Sequence, residues 1–329
     1  VSAAVVEKVL LLEKVLVLVQ LAEAVAWLHG EKGVVHKDLA ADNVMVRVEG
    51  ARGRGDWRGE QRAEVKMQDI LNDLASYPSF RATLIDFGFA DTNGKRRAWY
   101  DQVDVTGDNK KPFLSPEARI RRKEVPVSKP IEFDAAQKSF EVPPEMRTKD
   151  PRDALMPGDV MSYARDASHA HDIEITEVSG NVAKYAGDAP ELKDFEDYPR
   201  FVIVRPLLEP HDVYGLGALF YFILTEDINN FEALHSLADS VERLGRPVVA
   251  PAIQGRDHYA AVRDAIRSPY WRDELLVIIL RAMTRGLPGS YARSRIDRGP
   301  KAAQRLLLEV KRMHHHIQRD IVSAPFWQR

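Results

Sequence analysis

A chain of 329 residues with 29 % charged and 45 % hydrophobic side chains has room for one large domain with insertions or for two domains. Its net charge of −2 supplies no global field that would draw a nucleic acid or a membrane surface, and neither partner is expected. The absence of cysteine excludes a disulfide framework and thiolate metal sites.

The most apolar stretch is Val9 to Gly30. Glu13, Lys14, Gln20 and Glu23 interrupt it, so it predicts a buried amphipathic helix and no membrane span. Helical spacing covers residues 1–29, as one helix or as a short one followed by a longer one, with Gly30 the expected C-cap. The chain opens on Val1 inside this pattern and shows no signal-peptide features, so a segment of a longer cytoplasmic polypeptide is expected. "GVVH" and "NVMVRV" then predict short strands flanking a polar loop. Between Glu49 and Phe80 the composition turns Gly/Arg-rich, followed by helical spacing through Val65, Met67, Ile70, Leu71 and Leu74. The strand "RATLID" runs directly into "DFGFADTNG".

Ala98 to Pro112 is loop-like and ends in "KKPFLSPEA"; the basic run "RIRRK" beyond it suits a solvated surface. Residues 119–205 begin rich in Pro and charge and continue with short strands separated by turn residues. That pattern predicts a small β module, with a disordered insert as the alternative. After Pro206, "HDVYGLGALFYFILT" is apolar on every side and should lie buried at the centre of its domain. Amphipathic segments follow around Asn230–Leu244, Trp271–Thr284 and Lys301–Gln318. The expected architecture is α+β and mostly helical, divided into residues 1–118, 119–205 and 206–329.

The polar loop "HKDLAADN" is the candidate site of chemistry. Asp38 and Asn43 share one turn, and Asp86 ends a separate strand. Mg²⁺ takes oxygen ligands and keeps waters, so one carboxylate, one amide oxygen and substrate phosphates would satisfy it. A further carboxylate could then accept a proton from a hydroxyl nucleophile. The competing reading is that Asp and Asn are common in turns because they bond their own backbone.

"HKDLAADN" resembles the protein-kinase catalytic loop H-R-D-L-x-x-x-N, and "DFG" at Asp86–Gly88 resembles the kinase metal-binding motif. "FLSPEA" is similar to the A-P-E segment, with Ser115 for Ala. "DVYGLG" at Asp212 resembles the start of the long buried helix of the kinase C-lobe, and Arg293 resembles the arginine that pairs with the A-P-E glutamate. The resemblance implies ATP and Mg²⁺ as cofactors and a protein hydroxyl as acceptor. It makes Asp38 the base, with Lys37 beside it in the catalytic set, and Asn43 and Asp86 the Mg²⁺ holders. Met45 would lie under the adenine. His36 and Phe87 would stack between loops, Gly88 would complete the metal motif, Asp212 would tie down the catalytic-loop backbone, and Glu117 and Arg293 would pair.

Departures from the pattern qualify the implied chemistry. Lys37 replaces the usual arginine and loses its bidentate fork, which implies a weak activation-loop switch. Ala40 stands where serine/threonine kinases carry lysine, and Asp42 where the tyrosine-kinase loop carries arginine, so both compensating cations are missing. Serine/threonine specificity is expected on abundance alone. No N-lobe pattern precedes Val1, and "GARGRG" (Gly50–Gly55) reads as a flexible turn. The chain therefore resembles a kinase C-lobe with insertions at about 49–80 and at 119–205, the second a candidate docking region for a partner. Alternatives are a catalytically weak kinase-like scaffold and a small-molecule phosphotransferase. His314–His316 fall on adjacent helical positions that point apart, which argues against chelation. Thr92, Tyr100 and Thr106 are candidate phosphorylation sites.

Overall fold

The computed structural model describes residues 3–49, 79–92, 111–115, 122–126, 131–147, 154–155, 157–164, 170–188, 200–204, 209–244, 248–284 and 301–323. Helix α1 (Ala3–Trp27) is one continuous element. Leu11, Val15, Leu18, Ala22 and Val25 recur at three- and four-residue spacing and are buried. Leu12, Val19 and Ala26 are buried on adjoining stripes, because α1 packs against α7 (Lys301–Ser323), α2 (Glu209–Thr225) and strand β3 (Ser79–Leu84). Enclosure by three neighbours accounts for an apolar composition beyond what one amphipathic face needs.

Gly30 is not the cap. The helix widens into a π-helical turn over Leu28–Lys32, and Gly33 ends it at φ 59°, ψ 31°, donating its N–H to the Leu28 carbonyl. Only the later glycine adopts the left-handed conformation that closes a helix.

Strands β1 (Val34–Val35) and β4 (Asp91–Thr92) pair antiparallel on either side of the polar loop. Strands β2 (Val44–Glu49) and β3 form the second pair, from Val44 opposite Leu84 to Glu49 opposite Ser79. The Gly/Arg-rich stretch and the helical spacing between β2 and β3 lie outside the described residues.

Helix α2 is buried along nearly all its length, with Leu216, Ala218, Phe220 and Tyr221 at 0 % exposure. Around it lie α3 (Phe231–Glu242), the short α4 (Ala250–Ile253) and α5 (Tyr259–Ala265), α6 (Arg272–Thr284) and α7. The two short helices are too brief for periodicity to reveal. Helix α7 presents Ala303, Leu306, Val310, Met313, Ile317 and Ile321 to this core. Lys8–Asp320 (2.6 Å) and Lys311–Glu23 (2.6 Å) join its polar flanks to α1. Such solvent-reached pairs add little beside the apolar burial.

Gly217 sets how closely α2 and α6 approach. A Cβ there would lie 2.8 Å from Met283 Cγ, 2.9 Å from Ala282 Cβ and 3.0 Å from the Ile279 carbonyl oxygen. Overpacking of this kind costs about 1–3 kcal/mol, against about 1 kcal/mol gained from helix propensity. Gly217→Ala is therefore expected to lower the urea midpoint, and an unchanged or raised midpoint would refute this packing.

Residues 122–204 contribute a seven-stranded antiparallel sheet in the order β5-β11-β8-β9-β10-β7-β6. Its strands are β5 (Arg122–Pro126), β6 (Phe133–Asp134), β7 (Ser139–Glu141), β8 (Val160–Ala164), β9 (Ala170–Ser179), β10 (Val182–Ala186) and β11 (Arg200–Val204). The Pro- and charge-rich first part also pairs, and it adds β5, β6 and β7 to the sheet. Alternation buries Ile173, Ile175, Ala183 and Tyr185 while Lys184 and Val182 face outward. Gly180, at φ 58°, is the first residue of the two-residue β9–β10 loop, where a positive φ matches the strand twist. Phe133 packs on Phe140 and Tyr185 at 5.1 and 5.5 Å between centroids. This apolar cluster is separate from the one around α2. Among the described residues no helix is long and apolar enough to cross a membrane.

Candidate active site

The loop from His36 to Asn43 is held mainly by the first turn of α2. Asp212 is fully buried and accepts the backbone N–H of His36 (2.7 Å, Oδ2) and of Lys37 (2.8 Å, Oδ1). His29 Nε2 completes the set at 2.9 Å from Oδ2. Burial works against ionisation of Asp212. It is outweighed by the His29 hydrogen bond, the neighbouring His29 and His211 imidazoles and the His36 N–H, which hold the carboxyl below the usual range. The N-terminal turn of α2 also favours an anion.

Lys37 sits at φ 68° and Asp86 at φ 62°, left-handed values that non-glycine residues adopt only when their surroundings hold them there. Both lie in the candidate site. Lys37 precedes Asp38, and Asp86 follows β3.

Asp38 is 2 % exposed. Asn43, in the 3₁₀ turn Ala41–Asn43, donates both amide hydrogens to it: to the Asp38 carbonyl at 2.7 Å and to Oδ2 at 2.8 Å. Both partners are acceptors, so the network orients the amide and leaves Oδ1 as the atom a hard cation would meet. The Ile85 N–H donates to the Asn43 carbonyl at 3.0 Å, extending the β2–β3 ladder. That register sets Asp86 one residue beyond the partner of Asn43. Asp86 is exposed, and the Gly88 N–H donates to its Oδ1 at 3.2 Å.

His36 is fully buried. Its Nε2 donates to the Ile85 carbonyl at 3.2 Å, while Nδ1 accepts the Asp38 N–H at 3.4 Å. The ring meets Phe87 at 4.8 Å between centroids. Met45 and Phe87 are 50 % and 46 % exposed, an apolar surface on the open side of the loop.

The structure thus brings together His36, Lys37, Asp38, Asn43, Phe87 and Asp212, and sets Asp86 and Gly88 in the turn segment after β3 and Met45 on β2. Glu117, Arg293, Tyr100 and Thr106 lie outside the described residues. His314 and His315 rings stand 6.0 Å apart while His316 meets Trp271 edge-on, and no group of three His, Asp or Glu suited to a metal occurs among the described residues.

Three residues escaped sequence reasoning. His29 is a lone histidine at the end of an apolar helix, and its buried Nδ1 has no partner. His211, adjacent to Asp212, places Nε2 3.1 Å from the Lys37 carbonyl oxygen. Its Nδ1 lies 2.9 Å from Ser115 Oγ, itself 1 % exposed. Gly215 lets the His36–Asn43 loop approach, since a Cβ there would lie 3.1 Å from Leu39 Cβ. A glycine in a buried helix was the one available signal.

The family model for protein tyrosine and serine/threonine kinases matches residues 6–119, which include the His36–Asn43 loop and the DFG segment. That segment is thus similar to the protein kinase superfamily. The mixed helix-and-sheet architecture is compatible with a kinase-like α+β fold. No curated protein and no solved structure matches the chain.

Proposed function

We propose that this chain is the C-lobe of a protein kinase that transfers the ATP γ-phosphate to a protein hydroxyl, with Asp38 as the base. The observation that carries the reading is the Asp38–Asn43 pair, held by two hydrogen bonds from one amide in a loop anchored on Asp212. Phosphoryl transfer asks a protein mainly for positioning and electrostatics, and this loop offers both.

The donor set fits Mg²⁺: an amide oxygen from Asn43 and a carboxylate from Asp86, with phosphates and waters completing the shell. When bound, Mg²⁺ supplies neutralisation of phosphate charge. Asp38 would accept the proton from the acceptor hydroxyl, and Asn43 would hold the carboxylate's orientation. His36 and Phe87 would tie the Asp86 segment to the same loop. The exposed apolar surface of Met45 and Phe87 suits coverage by the adenine and by an N-lobe. Serine or threonine is the acceptor we favour, and residues 119–205 the docking region. Lys37 lacks the guanidinium fork for a phosphorylated activation loop, so such phosphorylation should have little effect on rate.

A scaffold reading draws on Ala40, buried at 2 % exposure, and Asp42, exposed, neither of which can supply a cation to the γ-phosphate. One assay separates the two. The native polypeptide containing this chain is incubated with Mg²⁺, γ-labelled ATP and a generic protein substrate, beside Asp86→Asn. Mg²⁺-dependent label on the substrate, lost in the variant, is expected, and mapping the labelled residue reads the acceptor class. No label together with no ATP binding would establish the scaffold.

A further inference from the structure

Lys37 is gripped on both sides by consecutive residues of α2. Its N–H goes to Asp212 Oδ1 at 2.8 Å, and its carbonyl oxygen faces His211 Nε2 at 3.1 Å. Those two peptide groups bracket a residue at φ 68°, a conformation that surrounding contacts must maintain. The peptide group carrying the Lys37 carbonyl also carries the Asp38 nitrogen. Whatever fixes that carbonyl therefore fixes where the Asp38 side chain departs from the backbone.

A carbonyl oxygen only accepts, so Nε2 of His211 must carry the hydrogen. In the neutral ring Nδ1 is then an acceptor, and the Ser115 hydroxyl donates to it across 2.9 Å. Ser115 closely follows Lys111–Phe113, a 3₁₀ turn whose Phe113 packs on Phe231 at 5.4 Å. The chain Ser115–His211–Lys37 thus joins the segment before Glu117 to the peptide preceding Asp38, through side chains that are 1 % and 6 % exposed.

We propose that His211 is a positioning residue for phosphoryl transfer, clamping the Lys37 carbonyl and transmitting the placement of Ser115 to Asp38. The proposal rests on the kinase reading for its effect on rate, whereas the clamp itself can be read without turnover.

Two amides separate the arms of the clamp. Glutamine places a nitrogen as many bonds from Cβ as His Nε2, so His211→Gln can keep the donor to Lys37. Asparagine reaches only the Nδ1 position, so His211→Asn can keep the Ser115 arm alone. In the native polypeptide, His211→Asn is expected to lower kcat by about 10- to 100-fold with KM for ATP unchanged, as misplacement of a reacting group does. His211→Gln should stay several-fold closer to wild type, and Ser115→Ala should fall between the two. In parallel, amide hydrogen exchange over Leu39–Asn43 should quicken more in the asparagine variant than in the glutamine one, with α6 exchange unchanged. Equal losses in both variants, or exchange over Leu39–Asn43 unchanged in His211→Asn, would overturn the clamp. A collapse of both variants in thermal unfolding would make His211 a stability residue and overturn it too. If wild type transfers no phosphate, the kinase reading fails and the exchange comparison alone still decides the clamp.

Discussion

Asp38→Asn is expected to lower phosphoryl transfer by about 10²- to 10⁴-fold, the usual contribution of a positioned general base. The substitution is nearly isosteric. The new amide can turn its oxygen toward Asn43 Nδ2, preserving the 2.8 Å contact now made by Oδ2. What remains facing the acceptor hydroxyl is then an NH₂ group, which cannot take its proton. Because this change leaves Asn43 and Asp86 in place, KM for ATP should move little while kcat falls. Steady-state transfer from labelled ATP in the native polypeptide checks both quantities. A variant with wild-type kcat would remove Asp38 from the base role.

Asp212→Asn is expected to cost about 3–5 kcal/mol of stability, the scale for breaking a buried charged network by removing one partner. Three donors converge on this carboxylate: His29 Nε2 and the backbone N–H of His36 and Lys37. An asparagine offers one acceptor oxygen and turns its own NH₂ toward at least one of those donors. A buried N–H then loses its partner. Since the Asp212 carboxyl is held below its ordinary value in the folded chain, its contribution is complete above the unfolded value near 4. It is lost as pH falls through the lowered folded value. Urea midpoints of wild type and variant should therefore lie far apart at neutral pH and converge in acid, below about pH 4. Midpoints that stay parallel down through that window would show that Asp212 is not ionised in the fold.

The Lys37 conformation explains why those two residues carry the largest effects. A left-handed φ on a lysine is unfavourable by itself, and Asp212 and His211 hold the peptide groups on either side of it. Asp38 occupies the next position along the chain. Removing Asp212 releases the backbone, whereas replacing Asp38 leaves the backbone intact and removes only the proposed proton acceptor.

The amino-acid sequence alone determined the chemistry-bearing order: Asp38 and Asn43 in one turn, Asp86 after a strand, Asp212 heading an all-apolar helix. It did so because each of these features is local, resting on residue type, spacing and composition. Helices α1, α2, α3, α6 and α7 and the β2–β3 pair were legible for the same reason. Tertiary structure decided what depends on partners distant in sequence. Gly33 and not Gly30 caps the first helix, because the end of a π turn is visible only in the backbone path. A Pro- and charge-rich stretch became strands β5, β6 and β7, because pairing with β11 and β10 supplied the hydrogen bonds that composition did not promise. His29, His211 and Ser115 acquired meaning only when folding set the first beside Asp212 and the other two beside the His36–Asn43 loop. A buried polar side chain is tolerated only with a partner. That partner, separated here by as many as 183 positions, is chosen by the fold.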